Sequence, residues 1–256
     1  MYHIQNSYCH FPDSEKMIKT IIFDLGGVLL DIDLPYCIHR VKELGVDIDA
    51  LSAIPAPELA IDTKPAVMGE GMVASGMLRL YQVGGISTAD FIKTIQRLCR
   101  PGISYEQVLE AWNTCCIDIP QRRLDNVLAL RQRGYRICML SNTNDAHWQD
   151  IKNRCFGGQD MVDKYFDNVF LSQEMQLAKP NDDIFLKVIE FLSVQPEECL
   201  FIDDSTVNVE AASHLGFHTI HADVSTTKNG KVIALPNVDW MDEIEEILTQ
   251  NATSQS

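Results

Sequence analysis

Short apolar runs along this chain alternate with stretches in which apolar residues recur at helical spacing. Ile21-Ile22-Phe23 is an apolar run that stops on Asp24, and Leu25-Gly26-Gly27 turns the chain immediately afterwards. Residues 121–133 carry helical periodicity and end at Gly134, where a C-terminal cap belongs. Residues 135–140 form a second apolar run, followed by Ser141-Asn142-Thr143-Asn144. A short strand is predicted over 168–171, a helix over 181–192, and a strand over 199–202 that ends on Asp203-Asp204. A helix over 206–215 stops at Gly216, 217–221 is strand-like, and 238–248 is an acidic amphipathic helix. Strands alternating with helices of ten or more residues predict an α/β fold built on a doubly wound parallel sheet.

The segment 34–120 breaks this alternation. It carries only helical periodicities, over 36–44, 87–99 and 104–113, with Ser87 and Asp90 spaced as a capping box. It therefore reads as a helical subdomain inserted after the first strand. The core is expected from 17–33 together with 121–248. Residues 1–16 read as an N-terminal extension and 249–256 as a disordered tail.

Composition narrows the class. At 256 residues and 46% hydrophobic, the chain can bury one large core and a smaller subdomain. No apolar run approaches the roughly 20 residues of a membrane helix, and Met1 to Lys16 lacks the apolar stretch of a signal peptide. Eight cysteines fall without C-x-x-C spacing, which suits reduced thiols and a cytoplasmic location. The formal charge of −15 leaves no basic stripe for nucleic acid. It would also repel an anionic substrate, so a phosphate site needs local positive charge.

The polar elements gather where such a sheet binds its ligands. Asp24, Ser141-Asn142, Lys179 and Asp203-Asp204 all follow strands or open helices, and those loops converge on one crevice. Asp24 is placed to attack phosphorus and form an aspartyl-phosphate. Asp204, helped by Asp203, would hold Mg²⁺ together with Asp24 and a backbone carbonyl near Gly26. Lys179 would neutralise the transferring oxygens, and Ser141 with adjacent backbone N–H groups would hold them. Asn142 either holds substrate or bonds its own loop. Asn208 is placed to orient Lys179 or a water.

These four motifs, in this order, resemble those of the haloacid dehalogenase superfamily of phosphohydrolases, over about residues 18–223. Phe23-Asp24-Leu25-Gly26-Gly27-Val28, Leu140-Ser141-Asn142-Thr143 and Gly85-Ile86-Ser87 are similar to the branch containing bacterial α-D-glucose-1-phosphate phosphatases. The resemblance implies a Rossmann-like core, a helical cap, and Mg²⁺-dependent hydrolysis of a small phosphorylated metabolite such as a sugar 1-phosphate. It makes Asp24 the nucleophile, Asp204 and Asp203 metal ligands, and Ser141 and Lys179 phosphoryl binders. One position departs from the pattern: phosphatases of the superfamily usually carry an acid/base aspartate two residues after the nucleophile, and this chain has Gly26. Losing a positioned acid/base costs roughly 10²–10⁴-fold in rate. Asp31 or Asp33 is a candidate replacement; alternatively the leaving group departs unaided, or the protein is a metabolite-binding or regulatory relative. A haloacid dehalogenase is the rival enzyme, but it has no need of the Asp203-Asp204 pair. A Ser141-His147-Asp150 triad lacks the glycine elbow a serine hydrolase requires.

Overall fold

The computed structural model describes residues 17–52, 54, 66–67, 73–74, 76–222, 224–226, 232–234 and 240–253. The expected extension 1–16 lies outside the described residues. The first strand, β1 (Thr20–Phe23), is buried along its whole length, and ten helical residues follow in α1 (Leu34–Glu43) and five in α2 (Ile48–Ser52). Next come the two-residue antiparallel pair β2 (Ala66–Val67) and β3 (Val73–Ala74), then α3 (Gly76–Gln82), α4 (Thr88–Leu98) and α5 (Tyr105–Asn113). Helix α6 (Gln121–Gln132) leads to β4 (Arg136–Ser141), and α7 (Asp145–Ile151) continues into a π-helical turn at Lys152–Phe156. Then follow α8 (Gln159–Tyr165), β5 (Asn168–Leu171), α9 (Ser172–Met175), α10 (Asp182–Leu192), β6 (Cys199–Asp203), α11 (Thr206–His214) and β7 (His218–His221). A small hairpin of β8 (Val224–Thr226) and β9 (Val232–Ala234) precedes α12 (Trp240–Thr253).

Five strands form one parallel sheet in the order β5-β4-β1-β6-β7. The chain winds outward from β1 to β5 and then returns to place β6 on the other side of β1. The switch point therefore lies between β1 and β6, beside the C-terminal ends that carry Asp24 and Asp203. Successive side chains of a strand point to opposite faces, and both faces are dry. Ile21, Phe23, Met139 and Ile202 pack under α6, α8 and α12, while Ile22, Leu140 and Phe201 pack under α10 and α11. Burial on both sides explains why these strands read as continuous apolar runs rather than alternating ones.

The helices between β1 and β4 gather around a third cluster that includes Val41, Leu51, Phe91, Ile95 and Val108. Their ends follow local chemistry. Ser87 caps α4 by accepting from Asp90 N, and Ser104 and Gln107 form a reciprocal capping box on α5. The segments leading into and out of this unit run side by side. Asp31 N donates to Asp118 O at 2.8 Å, Ile117 N to Asp31 O at 2.9 Å, and Asp33 N to Cys115 O at 2.9 Å.

Three features differ from the sequence expectation. The inserted segment is not wholly helical, since β2 and β3 pair within it. Helices α7 and α8 occupy a stretch in which no element was expected, because a π-helical turn and Gly157-Gly158 break the periodicity between them. Helix α12 runs to Thr253, beyond the expected boundary at 248: Trp240, Ile244 and Leu248 are buried, and the Asn251 side chain accepts from Ile18 N. Residues 254–256 lie outside the described residues. The seven described cysteines are all free, and no described helix is long and apolar enough to cross a membrane.

The inserted helices meet the sheet through directional contacts at α7 and α9. Tyr81 Oη accepts from Ala146 N at 3.0 Å, and the buried Ser172 hydroxyl, which accepts from Thr143 N, lies 2.7 Å from Gln82 O. Gly84, at φ +70°, lies so close to Gln173 that a Cβ there would fall 2.1 Å from its carbonyl oxygen. The His147 ring stacks on Trp112 at 5.2 Å, with Nε2 3.1 Å from Trp112 O and Nδ1 3.0 Å from the Asn144 amide nitrogen. Both bonds are satisfied when Nε2 carries the hydrogen and Nδ1 accepts, which is the neutral ring. Burial pushes the imidazole pKa down to about 4. A depressed histidine pKa stabilises the fold above the unfolded value near 6.5, and this is lost as pH falls through 4. Between pH 7 and 4 the wild type should lose on the order of 2–3 kcal/mol more stability than His147→Gln. Urea unfolding of both proteins across that range measures the difference, and parallel curves would refute it.

Candidate active site

Lysine 179 organises the site. Its side chain is fully buried, and Nζ donates to Asp203 Oδ2 at 2.6 Å, to Leu140 O at 2.9 Å and to Asp24 Oδ1 at 2.9 Å. An ammonium has three hydrogens, and all three are directed at partners from different strands. The Asn142 side chain fixes the lysine from behind: its Nδ2 donates to Lys179 O and its Oδ1 accepts from Lys179 N, both at 2.9 Å. Of its two expected uses, substrate or loop, the side-chain amide is engaged by the Lys179 backbone.

Asp24 follows β1 directly and also accepts from Leu25 N at 2.7 Å. Asp203, wholly buried, accepts from Ser205 N at 2.8 Å and from the Asn208 amide. Asn208 thus anchors Asp203 rather than Lys179. Asp204 lies beside Gly27, whose φ of +78° and missing Cβ are both required, since a Cβ would fall 2.3 Å from the Asp204 Oδ2. Oxygens of Asp24, Asp203 and Asp204 lie within 4.8 Å of one another. Burial pushes the Asp24 carboxyl up to about 8, with Lys179 pulling it down and Asp203 and Asp204 adding to the rise. Burial, with Asp203, pushes Asp204 up to about 7. Burial opposes the Lys179 charge, yet Asp203 and Asp24 raise its pKa overall. Three carboxylates around one ammonium leave excess negative charge. Hard oxygen donors with that deficit fit a divalent cation such as Mg²⁺.

Asp24, Gly26, Ser141, Asn142, Lys179 and Asp204 all border one cavity of about 210 Å³, which extends from the C-terminal ends of the central strands to the inserted helices. Neither expected acid/base substitute borders it. Asp31 pairs with Arg123 at 2.7 Å, and Asp33 caps α1 by accepting from Tyr36 N at 2.9 Å. The triad reading fails as well, because the His147 nitrogens face Trp112 and Asn144 while Asp150 pairs with Arg154. Two contacts next to the site gave no signal in the sequence. Ser172 joins the β4 loop to the inserted helices, and His221 Nε2 lies 2.9 Å from Asp204 O.

A family profile described as haloacid dehalogenase-like hydrolase matches residues 18–216. The chain is 30% identical over 234 residues to the D-ribitol-5-phosphate phosphatase of Bacteroides thetaiotaomicron, covering 91% of this chain and 99% of that protein. A HAD family enzyme from the same organism, solved with magnesium and inorganic phosphate, aligns at TM-score 0.67 and 33% identity, over 80% of this chain and 94% of that one. A HAD-like hydrolase from Porphyromonas gingivalis aligns at TM-score 0.68 and 31% identity, over 91% and 98% of the two chains. Solved structures of the Bacteroides thetaiotaomicron enzyme contain magnesium, and the acidic cluster here offers oxygen donors that suit the same cofactor. The chain belongs to the haloacid dehalogenase-like hydrolases.

Proposed function

We propose that this protein is a Mg²⁺-dependent phosphatase of small phosphorylated metabolites, with Asp24 as the nucleophile. The observation that carries the reading is the placement of Asp24 at the cavity mouth, held by Lys179 and facing Asp203 and Asp204. Asp24, Asp203 and Asp204 would hold the cation together with the Gly26 carbonyl; when bound, Mg²⁺ supplies charge that lets an anionic ester approach an anionic nucleophile. Lys179, freed from Asp24 as that carboxylate turns to phosphorus, binds the phosphoryl oxygens together with Ser141. Asp24 attacks phosphorus, the ester oxygen departs with its electron pair, and water then cleaves the aspartyl-phosphate to release inorganic phosphate. The helical unit 34–120 serves as a cap that excludes bulk water during the reaction. Free thiols support a cytoplasmic location.

Among the described residues, the carboxylates that border the cavity are Asp24 and Asp204, both members of the acidic cluster. With Gly26 at the position that usually carries the acid/base, the leaving group departs without an acid from that turn, which favours esters of acidic hydroxyls: glycosyl 1-phosphates, acyl phosphates and aryl phosphates. In a dehalogenase Asp203 would still hold Lys179, but Asp204 would have no cation to bind.

Asp24→Asn is expected to lower phosphate release by at least about 10³-fold while preserving the fold, and chelation of Mg²⁺ should have a similar effect. Phosphate release from glucose 1-phosphate and acetyl phosphate, with Mg²⁺ and with EDTA, measures both; activity that persists in the variant refutes the assignment. A second test adds the missing acid. A Cβ on Gly26 meets only Ile32, at 3.5 and 3.9 Å, and Gly26 is not in the left-handed region, so Gly26→Asp is sterically allowed. Wild type should prefer glucose 1-phosphate over glucose 6-phosphate. Gly26→Asp should raise kcat for the 6-phosphate by about 10–100-fold, a fraction of a full acid/base contribution. An unchanged ratio would show that leaving-group protonation does not limit the reaction.

A further inference from the structure

The cavity that begins at Asp24 ends in apolar surface. Its far wall is formed by Leu34, Ile38 and Val41 of α1, Leu51 of α2, Leu78 of α3 and Trp112 of α5. The α1 residues stand four and three positions apart, the spacing of a single helix face, so this face is turned to the cavity. Among the described residues, several polar atoms nearby are already engaged. Tyr81 Oη is bonded to Ala146 N and Thr88, the two His147 nitrogens to Trp112 O and Asn144, and the Cys37 thiol to Trp112 O. Gln82 Oε1 accepts from Arg79. Among the described cavity-lining residues at this end, the unpartnered buried donor is Trp112 Nε1.

A hydroxyl buried without a partner is strongly disfavoured. A polyol or sugar chain carries several hydroxyls, each with a donor and acceptors to satisfy, and one indole N–H cannot serve them. An aromatic ring needs none and gains from apolar surface. At about 210 Å³ the cavity is also smaller than the usual pocket for a drug-sized ligand, and suits a single ring. We infer that the organic part of the substrate is a small aromatic group, so that this phosphatase acts on aromatic phosphate monoesters in preference to polyol phosphates. This rests on the phosphatase reading and selects one member of the acidic leaving groups that reading allows: phenols leave more readily than alkyl alcohols.

Binding can be separated from chemistry with phosphonates, which keep the anion and cannot be hydrolysed. Calorimetric titration of the full chain in Mg²⁺ compares benzylphosphonate with 2,3-dihydroxypropylphosphonate. Benzylphosphonate should bind at least about tenfold more tightly, as burial of a ring in apolar surface requires. Ile38→Asn and Leu78→Asn, both at half-buried positions on the far wall, should each reduce that ratio to below about threefold; circular dichroism verifies their folds. Equal affinities, or tighter binding of the dihydroxy compound, would overturn the inference. So would an aromatic preference that both folded variants retain, because the ring would then bind elsewhere. Hydrolysis of acetyl phosphate and of phenyl phosphate, run alongside, reports on the phosphatase reading alone: absence of both refutes that reading, while the phosphonate ratio still judges the cavity.

Discussion

The Lys179 ammonium is the charge around which this molecule is arranged. A buried cation costs several kcal/mol unless its partners are close and well oriented. Here the partners are a carboxylate at the end of β1, a carbonyl in β4 and a carboxylate at the end of β6. Those strands are neighbours in the sheet, so the lysine can be satisfied only if the sheet has its observed order. The converse also holds. Asp24 and Asp203 would repel each other without the ammonium between them, and burial already raises the Asp24 pKa despite its presence. Fold and site are therefore one electrostatic arrangement seen from two sides.

A second arrangement, free of charge, joins the inserted helices to that sheet. It consists of a tyrosine hydroxyl on a backbone N–H, a serine hydroxyl between two carbonyls, and a neutral imidazole stacked on an indole. Such contacts suit an interface that encloses a polyanionic reaction, since they add no further charge to a site where three carboxylates already meet. They also engage polar groups of Tyr81 and His147 that would otherwise face the cavity among the described residues.

Much of this was legible in the sequence, for an identifiable reason. Strands buried on both faces read as apolar runs, and a carboxylate at the end of such a run stands out, so Asp24, Asp203 and Asp204 could be found, with Lys179, from pattern alone. The capped helices α4 and α5 were legible because their caps lie within three residues in sequence. What escaped depends on long-range geometry. His147 is defined by Trp112, 35 residues away, and Ser172 by Gln82, 90 residues away. The engagement of Asn142 with the Lys179 backbone, and of Asp31 with Arg123, are likewise pairings that no local window contains. The acid/base substitutes looked plausible because they are near Asp24 in sequence; the turn after β1 directs them elsewhere.

The side-by-side segments at residues 31–33 and 115–118 have a consequence for how such a protein diversifies. Because the chain leaves the sheet and returns at adjacent hydrogen-bonded positions, everything between them is, to the sheet, a loop whose two ends already touch. Lengthening a closed loop adds only about 0.6 kcal/mol per doubling. Wholesale replacement of the insert would leave β1, β4 and the buried lysine where they are. The reaction and the choice of what is reacted are thus inherited on separable parts of the chain, and selection can remodel one without renegotiating the other.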